Sequence, residues 1–311
     1  MPEKDYAWLP RQNILTFEEI SKLVDVFITT GIGRVRLTGG EPLLRKDLAK
    51  LIRMLANKPA LSDIALTTNG ILLSEYAAAL HQAGLHRITV SLDTLNEDKF
   101  KELTRFNGVT TVQNGLTAAK AAGFDDLKID TVVIRGVNDD ELIDLLDYAK
   151  HATAELRFIE YMDVGGATRW SSNDVVSRSE MLRVIADARG PITPIDEQSS
   201  APADRFQLGN GQTFGIISST TEPFCQSCDR SRLTADGLWY LCLYASTGTD
   251  LRKAITDGAT VDELRSIIEA AWTTRGDRGA ELRLNAKDRQ PLIPIETLQK
   301  EPHLEMHTRG G

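Results

Sequence analysis

No apolar run in this chain approaches the ~20 residues that a helix needs to cross a bilayer, so no membrane span is expected. No G-x-G-x-x-G opens a helix and no G-x-x-x-x-G-K-[ST] occurs, which leaves a Rossmann dinucleotide site and a P-loop without support. A G-x-S-x-G elbow and an H-E-x-x-H zinc motif are also absent. Histidine is scarce. His81, His86 and His151 fall on or beside predicted helices and read as surface residues, and His303 and His307 are the other two. Positive charge is in deficit, with 36 Lys and Arg against 44 Asp and Glu, a net charge of −8. That balance argues against general nucleic-acid binding and against an anionic membrane surface, but leaves room for one anionic small ligand held by a few local cations. The opening "MPEKDYAWLP" is charged and polar, unlike a secretory signal. Cysteine occurs only three times, an odd number that builds no disulfide framework, so the expected location is the reducing cytoplasm.

The remainder is ordinary for a globular protein: 41% hydrophobic and 26% charged residues over 311 positions, enough for one large or two ordinary domains. The first half alternates between helical and β-branched stretches. "TFEEISKLVDVFITTG" has helical periodicity and opens with a capping box, Thr16 and Glu19. Strands are predicted at "RVRLTGGEP", "DIALTTNG", "RITVSLD", "LKIDTVVIRG" and "AELRFIEYM". Helices are predicted between them, including "NDDELIDLLDYAKH" capped by Asn138. Short loops and repeated βα alternation predict an α/β fold with a parallel sheet and right-handed crossovers, either a barrel or a doubly wound sheet. Pro, Ser and Gly gather in "GPITPIDEQSSAPADRFQLGNGQTFGIIS", which places a domain boundary near residue 200. Two more helices follow, the second capped by Thr260 and Glu263, and "PHLEMHTRGG" reads as a tail.

The strand exits carry polar and flexible residues. The first offers Thr38, Gly39, Gly40 and Glu41; the second Thr67, Thr68, Asn69 and Gly70; the third Ser91 and Asp93; a later one Glu160, Tyr161 and Met162. Ligands bind at this edge in barrels and open α/β sheets alike. Any one exit of this kind is ordinary turn chemistry. Three in series favour a binding edge.

All three cysteines lie in "FCQSCDRSRLTADGLWYLC". Cys225 and Cys228 form a C-x-x-C, and Cys242 can return on a hairpin that turns at Asp236-Gly237. Three thiolates suit an iron–sulfur cluster with one iron left open. A zinc site completed by another ligand, or a redox pair with a bystander thiol, fits the spacing too. Arg230 and Arg232 are two apart, so in an extended segment both guanidinium groups face one way, able to clamp phosphate oxygens beside Cys228.

Together "RLTGGEP", "LTTNG", "VSLD", "RFIEYMDVG", "FCQSCDRSRLTADG" with Cys242, and Gly310-Gly311 closely resemble the GTP 3′,8-cyclase family of radical S-adenosylmethionine enzymes, which opens molybdenum-cofactor biosynthesis. The resemblance runs from "WLPR" to the last residue. It implies a partial (β/α)6 radical-SAM barrel, residues 1–200, with a C-terminal auxiliary-cluster domain, residues 201–311. Carried over by motif, Cys225, Cys228 and Cys242 would hold a C-terminal [4Fe–4S] cluster. Arg36, Thr67, Lys128, Arg230, Ser231 and Arg232 would hold GTP. Gly40, Ser91 and Met162 would contact S-adenosylmethionine, and the Gly310-Gly311 tail would reach the active site. The implied lyase reaction converts GTP to (8S)-3′,8-cyclo-7,8-dihydroguanosine 5′-triphosphate, which cyclic pyranopterin monophosphate synthase then consumes. A homodimer is the expected assembly, with no nucleic-acid or membrane partner.

The sequence departs from the family in one place. The family's first cluster uses a C-x-x-x-C-x-x-C near the N-terminus, commonly followed by Met-Pro, whereas this sequence opens at Met1-Pro2. The expectation is a true start upstream of Met1, with a real truncation as the alternative. As written, the chain is expected to bind GTP without cleaving S-adenosylmethionine, unless that first cluster site is restored. A different radical enzyme with an auxiliary cluster is the other alternative.

Overall fold

The structure is a computed structural model and describes residues 9–164, 170–196, 200–286 and 289–310. The predicted alternation forms as α1 (Phe17–Thr29), β1 (Arg34–Leu37), α2 (Leu48–Ala56), β2 (Asp63–Thr68), α3 (Leu73–Gln82), β3 (Arg87–Ser91), α4 (Glu97–Thr104), α5 (Val109–Ala121), β4 (Leu127–Val133), α6 (Leu142–His151), β5 (Ala154–Glu160) and α7 (Arg178–Arg189). There follow β6 (Ile192–Ile195), β7 (Asp204–Leu208), β8 (Thr213–Ile217), β9 (Arg232–Leu233), β10 (Leu238–Tyr240) and β11 (Thr249–Asp250). Helices α8 (Leu251–Thr256), α9 (Val261–Thr273), α10 (Gly279–Leu284), α11 (Ile295–Lys300) and α12 (Met306–Arg309) come last, and short 3-10 turns lie between some of these elements.

Local sequence explains most of these boundaries. Glu19 N donates to Thr16 Oγ1 at 3.1 Å and Thr16 N donates to Glu19 Oε2 at 2.7 Å, so two amides freed at the start of α1 are satisfied reciprocally. Thr260 and Glu263 open α9 in the same way. Asn138 departs from expectation. Its side chain caps no helix; it accepts from Ile134 N at 2.8 Å and donates to Asp93 O at 2.6 Å and Val132 O at 2.9 Å. It ties two strand exits together, and α6 starts later, at Leu142.

The main sheet runs β1-β2-β3-β4-β5-β8-β7-β6. Strands β1 to β5 and β8 are mutually parallel, and β7 and β6 return as antiparallel strands. The parallel part, with helices on one face, is a partial barrel. The sheet continues past residue 200, through β7 and β8 to Ile217.

Strand residues alternate between the two faces. Ile64, Leu66, Ile88, Val90, Ile129, Leu156 and Phe158 pack against Leu51, Ile52, Leu73, Leu80, Val112, Leu116 and Leu145 from the helices. Their neighbours Thr67, Thr89, Lys128, Asp130 and Arg157 take the other, polar face. A second core joins Leu15, Leu23 and Val26 to Trp239, Leu251, Leu264 and Ile268. Phe27 and Trp239 lie 5.4 Å apart there. Each large side chain so buried stabilises by about 2 kcal/mol, and together they hold the cysteine hairpin against α1 and α9. Among the described residues, no helix is long and apolar enough to cross a membrane.

Candidate functional site

The "GGEP" turn and the "TTNG" turn are bound to one another. Glu41 accepts from Leu43 N at 2.9 Å, Thr68 Oγ1 at 2.8 Å and Asn69 N at 2.8 Å. One carboxylate therefore fixes the exits of β1 and β2. Gly39, at φ +143°, adopts a backbone that a side chain would strain, and Gly40 beside it is exposed. Ser91 ends β3, exposed, directly opposite Asp130 on β4.

Below this edge lies a polar layer. Arg36 Nη1 donates to Thr67 Oγ1 at 2.8 Å and to Thr89 Oγ1 at 3.0 Å. Two expected residues thus meet, with Thr89 added. Lys128 is buried and bonded to Asp126. Asp130, Glu155, Arg157 and Arg205 belong to the same layer and were not expected from sequence. Arg157 Nε donates to Glu155 Oε1 at 3.0 Å, and Arg205 Nε to Glu155 Oε2 at 2.8 Å. Burial pushes the Asp130 carboxyl up to about 6 despite nearby Arg157, Arg36 and Lys128, and its Oδ1 is shielded with no hydrogen-bond partner. A strand-interior Asp two residues after Lys128 was the available signal.

Met162 sits between two anchored carboxylates. Glu160 accepts from Arg178 N at 2.8 Å, Thr220 N at 3.0 Å and Thr221 N at 2.8 Å. Asp163 is fully buried and accepts from Arg283 Nε at 2.7 Å, Arg289 Nε at 2.9 Å and Nη2 at 3.0 Å, and Tyr244 Oη at 3.2 Å. Burial alone would raise the Asp163 pKa, but bonds from Arg289 and Arg283 hold it below the ordinary value. The half-buried Met162 is therefore fixed at both ends by contacts from distant parts of the chain.

The hairpin forms as the sequence predicts, with Leu233 opposite Trp239, Arg232 opposite Tyr240, and Gly237 at φ +92° in the turn. Cys225, Cys228 and Cys242 are free and half-buried. Arg230 Nη2 approaches Cys228 Sγ at 3.4 Å, and its guanidinium lies 4.7 Å over the Phe224 ring. Burial pushes the Cys228 thiol up, but the Arg230 amide and guanidinium and Arg275 outweigh it, leaving the net shift downward. Burial and the neighbouring Arg230 push Arg232 down to about 10. Among the described residues, neither Arg230 nor Arg232 makes an ion pair with a carboxylate. Ser231 lies half-buried between them.

Three cysteine sulfurs, with Arg230 and Arg275 against Cys228, are the donor chemistry that an iron–sulfur cluster takes. No three His, Cys, Asp or Glu side chains among the described residues converge on one point as a single ion needs. A cluster, which spreads its ligands over separate iron atoms, does not require that convergence.

The expected tail is a docked element. α12 has His307, Thr308 and Arg309 buried. Gly310, at φ +73°, lies so close to Thr38 that a Cβ there would overlap the threonine methyl. Arg232 Nε donates to Gly310 O at 3.3 Å. Gly311 lies outside the described residues. The tail thus joins the exit of β1 to the segment between the cysteines.

Two family models divide the chain. One, for the radical SAM superfamily, matches residues 3–149, and one, for molybdenum cofactor synthesis C, matches residues 154–280. A relative from Mycobacterium bovis named GTP 3′,8-cyclase 3 is 52% identical over 315 residues, covering 100% of this chain and 83% of the relative. The chain belongs to the GTP 3′,8-cyclase family. GTP 3′,8-cyclase 1 of Mycobacterium tuberculosis is also 52% identical, covering 100% of this chain and 88% of that one. Among solved structures, Streptococcus suis SuiB bound to S-adenosylmethionine superposes with a TM-score of 0.57 at 13% identity, over 94% of this chain and 70% of SuiB. That likeness concerns the fold alone and agrees with the partial barrel. Within the cyclase family's two-part division, Arg36, Thr67, Ser91 and Lys128 fall in the radical SAM part. The cysteines, Arg230 and Arg232 fall in the molybdenum-cofactor part.

Proposed function

We propose that this chain is a GTP 3′,8-cyclase, converting GTP to (8S)-3′,8-cyclo-7,8-dihydroguanosine 5′-triphosphate in the first step of molybdenum-cofactor biosynthesis. One observation carries the reading of the site. Among the described residues Arg230 and Arg232 have no carboxylate partner; they lie beside three free thiols, and Arg232 is joined through Gly310 to the exit of β1. These two neighbouring guanidinium groups offer N–H donors to the oxygens of a triphosphate, in the bidentate manner that favours Arg over Lys.

Cys225, Cys228 and Cys242 would hold a [4Fe–4S] cluster with an iron open to the substrate. Gly40, Ser91 and Met162 would hold S-adenosylmethionine, which supplies the hydrogen-abstracting radical in this family. A cluster at that first site needs ligands beyond the three cysteines of this sequence. The residues present do the binding and positioning. Arg36, pinned by Thr67 and Thr89, offers a guanidinium to the substrate from the barrel wall. Lys128 reaches an anion by exchanging its bond to Asp126. Arg230, Ser231 and Arg232 take the phosphates, and Gly310, docked on Thr38, closes the site against water, where a radical must be shielded. The chain would work in the reducing cytoplasm, as its unpaired thiols favour, and a cyclic pyranopterin monophosphate synthase would consume its product.

The test is calorimetric titration of GTP into anaerobically reconstituted protein, with product analysis after addition of S-adenosylmethionine and a reductant. GTP binding that weakens at least tenfold in both Arg230→Ala and Arg232→Ala is expected. A fully iron-loaded protein that binds no GTP would overturn the substrate assignment. GTP bound without turnover would leave the chain a binding form of the cyclase.

A further inference from the structure

Arg275 lies 47 positions beyond Cys228, just past the end of α9. It does not belong to any motif that singled out the site. Its Nη1 donates to the Cys228 carbonyl oxygen at 2.9 Å, and its Nη2 stands 3.6 Å from Cys228 Sγ. The guanidinium also lies 4.6 Å over the Trp272 ring, which fixes its plane. The Arg275 amide donates to Trp272 O at 3.1 Å, so backbone and side chain are both anchored to the end of α9. That helix is held in turn by Leu264 and Ile268 in the second core. The contact to Cys228 is thus built on a rigid element rather than on a loose surface side chain.

We propose that Arg275 is a positioning residue for the cluster: it fixes the Cys228 loop through the carbonyl and tunes the cluster through an N–H···S bond to the Cys228 thiolate. This rests on the reading that the three cysteines hold a cluster. Two arginines reach Cys228, and their surroundings divide the work. Arg230 is covalently part of the segment between the cysteines, next to Arg232, and is assigned to substrate. Arg275 approaches from α9, and both of its contacts are spent on Cys228. A cation and a hydrogen-bond donor at a cluster sulfur stabilise the added electron, and the hydrogen bonds to the sulfurs are among the factors that set a cluster's potential. Removing Arg275 therefore makes one-electron reduction harder.

The experiment uses the full chain, reconstituted anaerobically with iron and sulfide, as wild type, Arg275→Ala and Arg275→Lys. Iron and acid-labile sulfide are measured first on wild type. If wild type takes up no cluster, the cluster reading falls, and Arg275 falls with it. With a loaded wild type, the midpoint potential, the electron paramagnetic resonance spectrum after dithionite reduction, and the exchangeable-proton couplings in deuterated buffer are compared. Arg275→Ala is expected to shift the potential to more negative values and to lose one exchangeable proton coupling. Arg275→Lys, which keeps the charge but not the planar fork, is expected to recover part of the potential and none of the fixed geometry. If Arg275→Ala does not load, the same two readings on Arg275→Lys decide. Potentials and couplings identical to wild type in the variants that load would overturn the proposal, even if GTP affinity changed.

Discussion

Arg232 and Gly310 are 78 positions apart, and the Arg232 Nε donates to the Gly310 carbonyl oxygen at 3.3 Å. Through this bond the segment between the cysteines and the C-terminal helix α12 close over the exit of β1. The same glycine takes a φ of +73° and leaves no room for a Cβ beside Thr38. Gly310→Ala should therefore undock the tail without unfolding the protein. We expect trypsin to cut after Arg309 rapidly in the variant and slowly in wild type, and GTP affinity to fall about tenfold, or ~1.4 kcal/mol. Global melting should stay within a few degrees. Unchanged proteolysis at Arg309 would mean that the tail does not depend on this contact.

Arg36 is held by two threonines in the barrel. Arg36→Ala should weaken GTP binding by one to two orders of magnitude, roughly 1.5–3 kcal/mol for a charge-assisted contact. Arg36→Lys should recover only part of this, because the compact ammonium lacks the planar fork that bonds Thr67 and Thr89 through Nη1 and keeps further N–H groups in a fixed plane for an anion. The weakening of wild-type binding with added salt should be less steep in Arg36→Ala. Equal affinities across the three proteins would remove Arg36 from the site.

Asp163 ties Met162 to Arg283, Arg289 and Tyr244. Asp163→Ala leaves two half-buried guanidinium groups without their carboxylate, and a loss of about 3 kcal/mol is expected, read as a lower melting temperature. Since its folded pKa lies below the ordinary value, the wild-type carboxylate contributes stability that is complete above the unfolded value near ~3.9 and lost as pH falls through the folded value. The stability gap between wild type and Asp163→Ala should shrink on acidification below pH ~4.

Asp130 has the opposite sign. Its folded pKa is raised to about 6, so the fold prefers the neutral acid, and this contribution is complete below the unfolded value near ~3.9 and lost as pH rises through about 6. Asp130→Asn should raise the melting temperature relative to wild type at pH 7.5, by no more than the equivalent of ~3 kcal/mol at 1.36 kcal/mol per unit. At pH 4 the two proteins should melt together. A constant difference from pH 4 to pH 8 would show that Asp130 ionisation is not coupled to folding.

The sequence by itself determined the elements whose causes are local. The capping boxes at Thr16 and Thr260 need only residues three apart, and the Asp236-Gly237 hairpin needs only a turn that tolerates positive φ. The βα alternation marked the parallel strands, and spacing alone brought Cys225, Cys228, Arg230 and Arg232 to attention. The motif "GGEP" placed a flexible strand exit correctly. The Asn138 cap failed because the short polar side chain had two competing sets of backbone partners, and the exits of β3 and β4 supplied the better one. What only the tertiary structure decided involves groups far apart in the chain. Nothing near Cys228 in sequence points to Arg275, and nothing near Met162 points to Arg283 or Arg289. Thr89, Asp130 and Arg157 became neighbours of Arg36 only once the strand register was set. The resemblance pointed the Gly310-Gly311 tail towards the active site, but its docking contacts, with Thr38 and Arg232, come from the other end of the chain and from the cysteine hairpin and are not written in the tail itself. Local propensity follows from backbone geometry and nearest neighbours, whereas a site is assembled by burial and register, which a linear pattern does not encode.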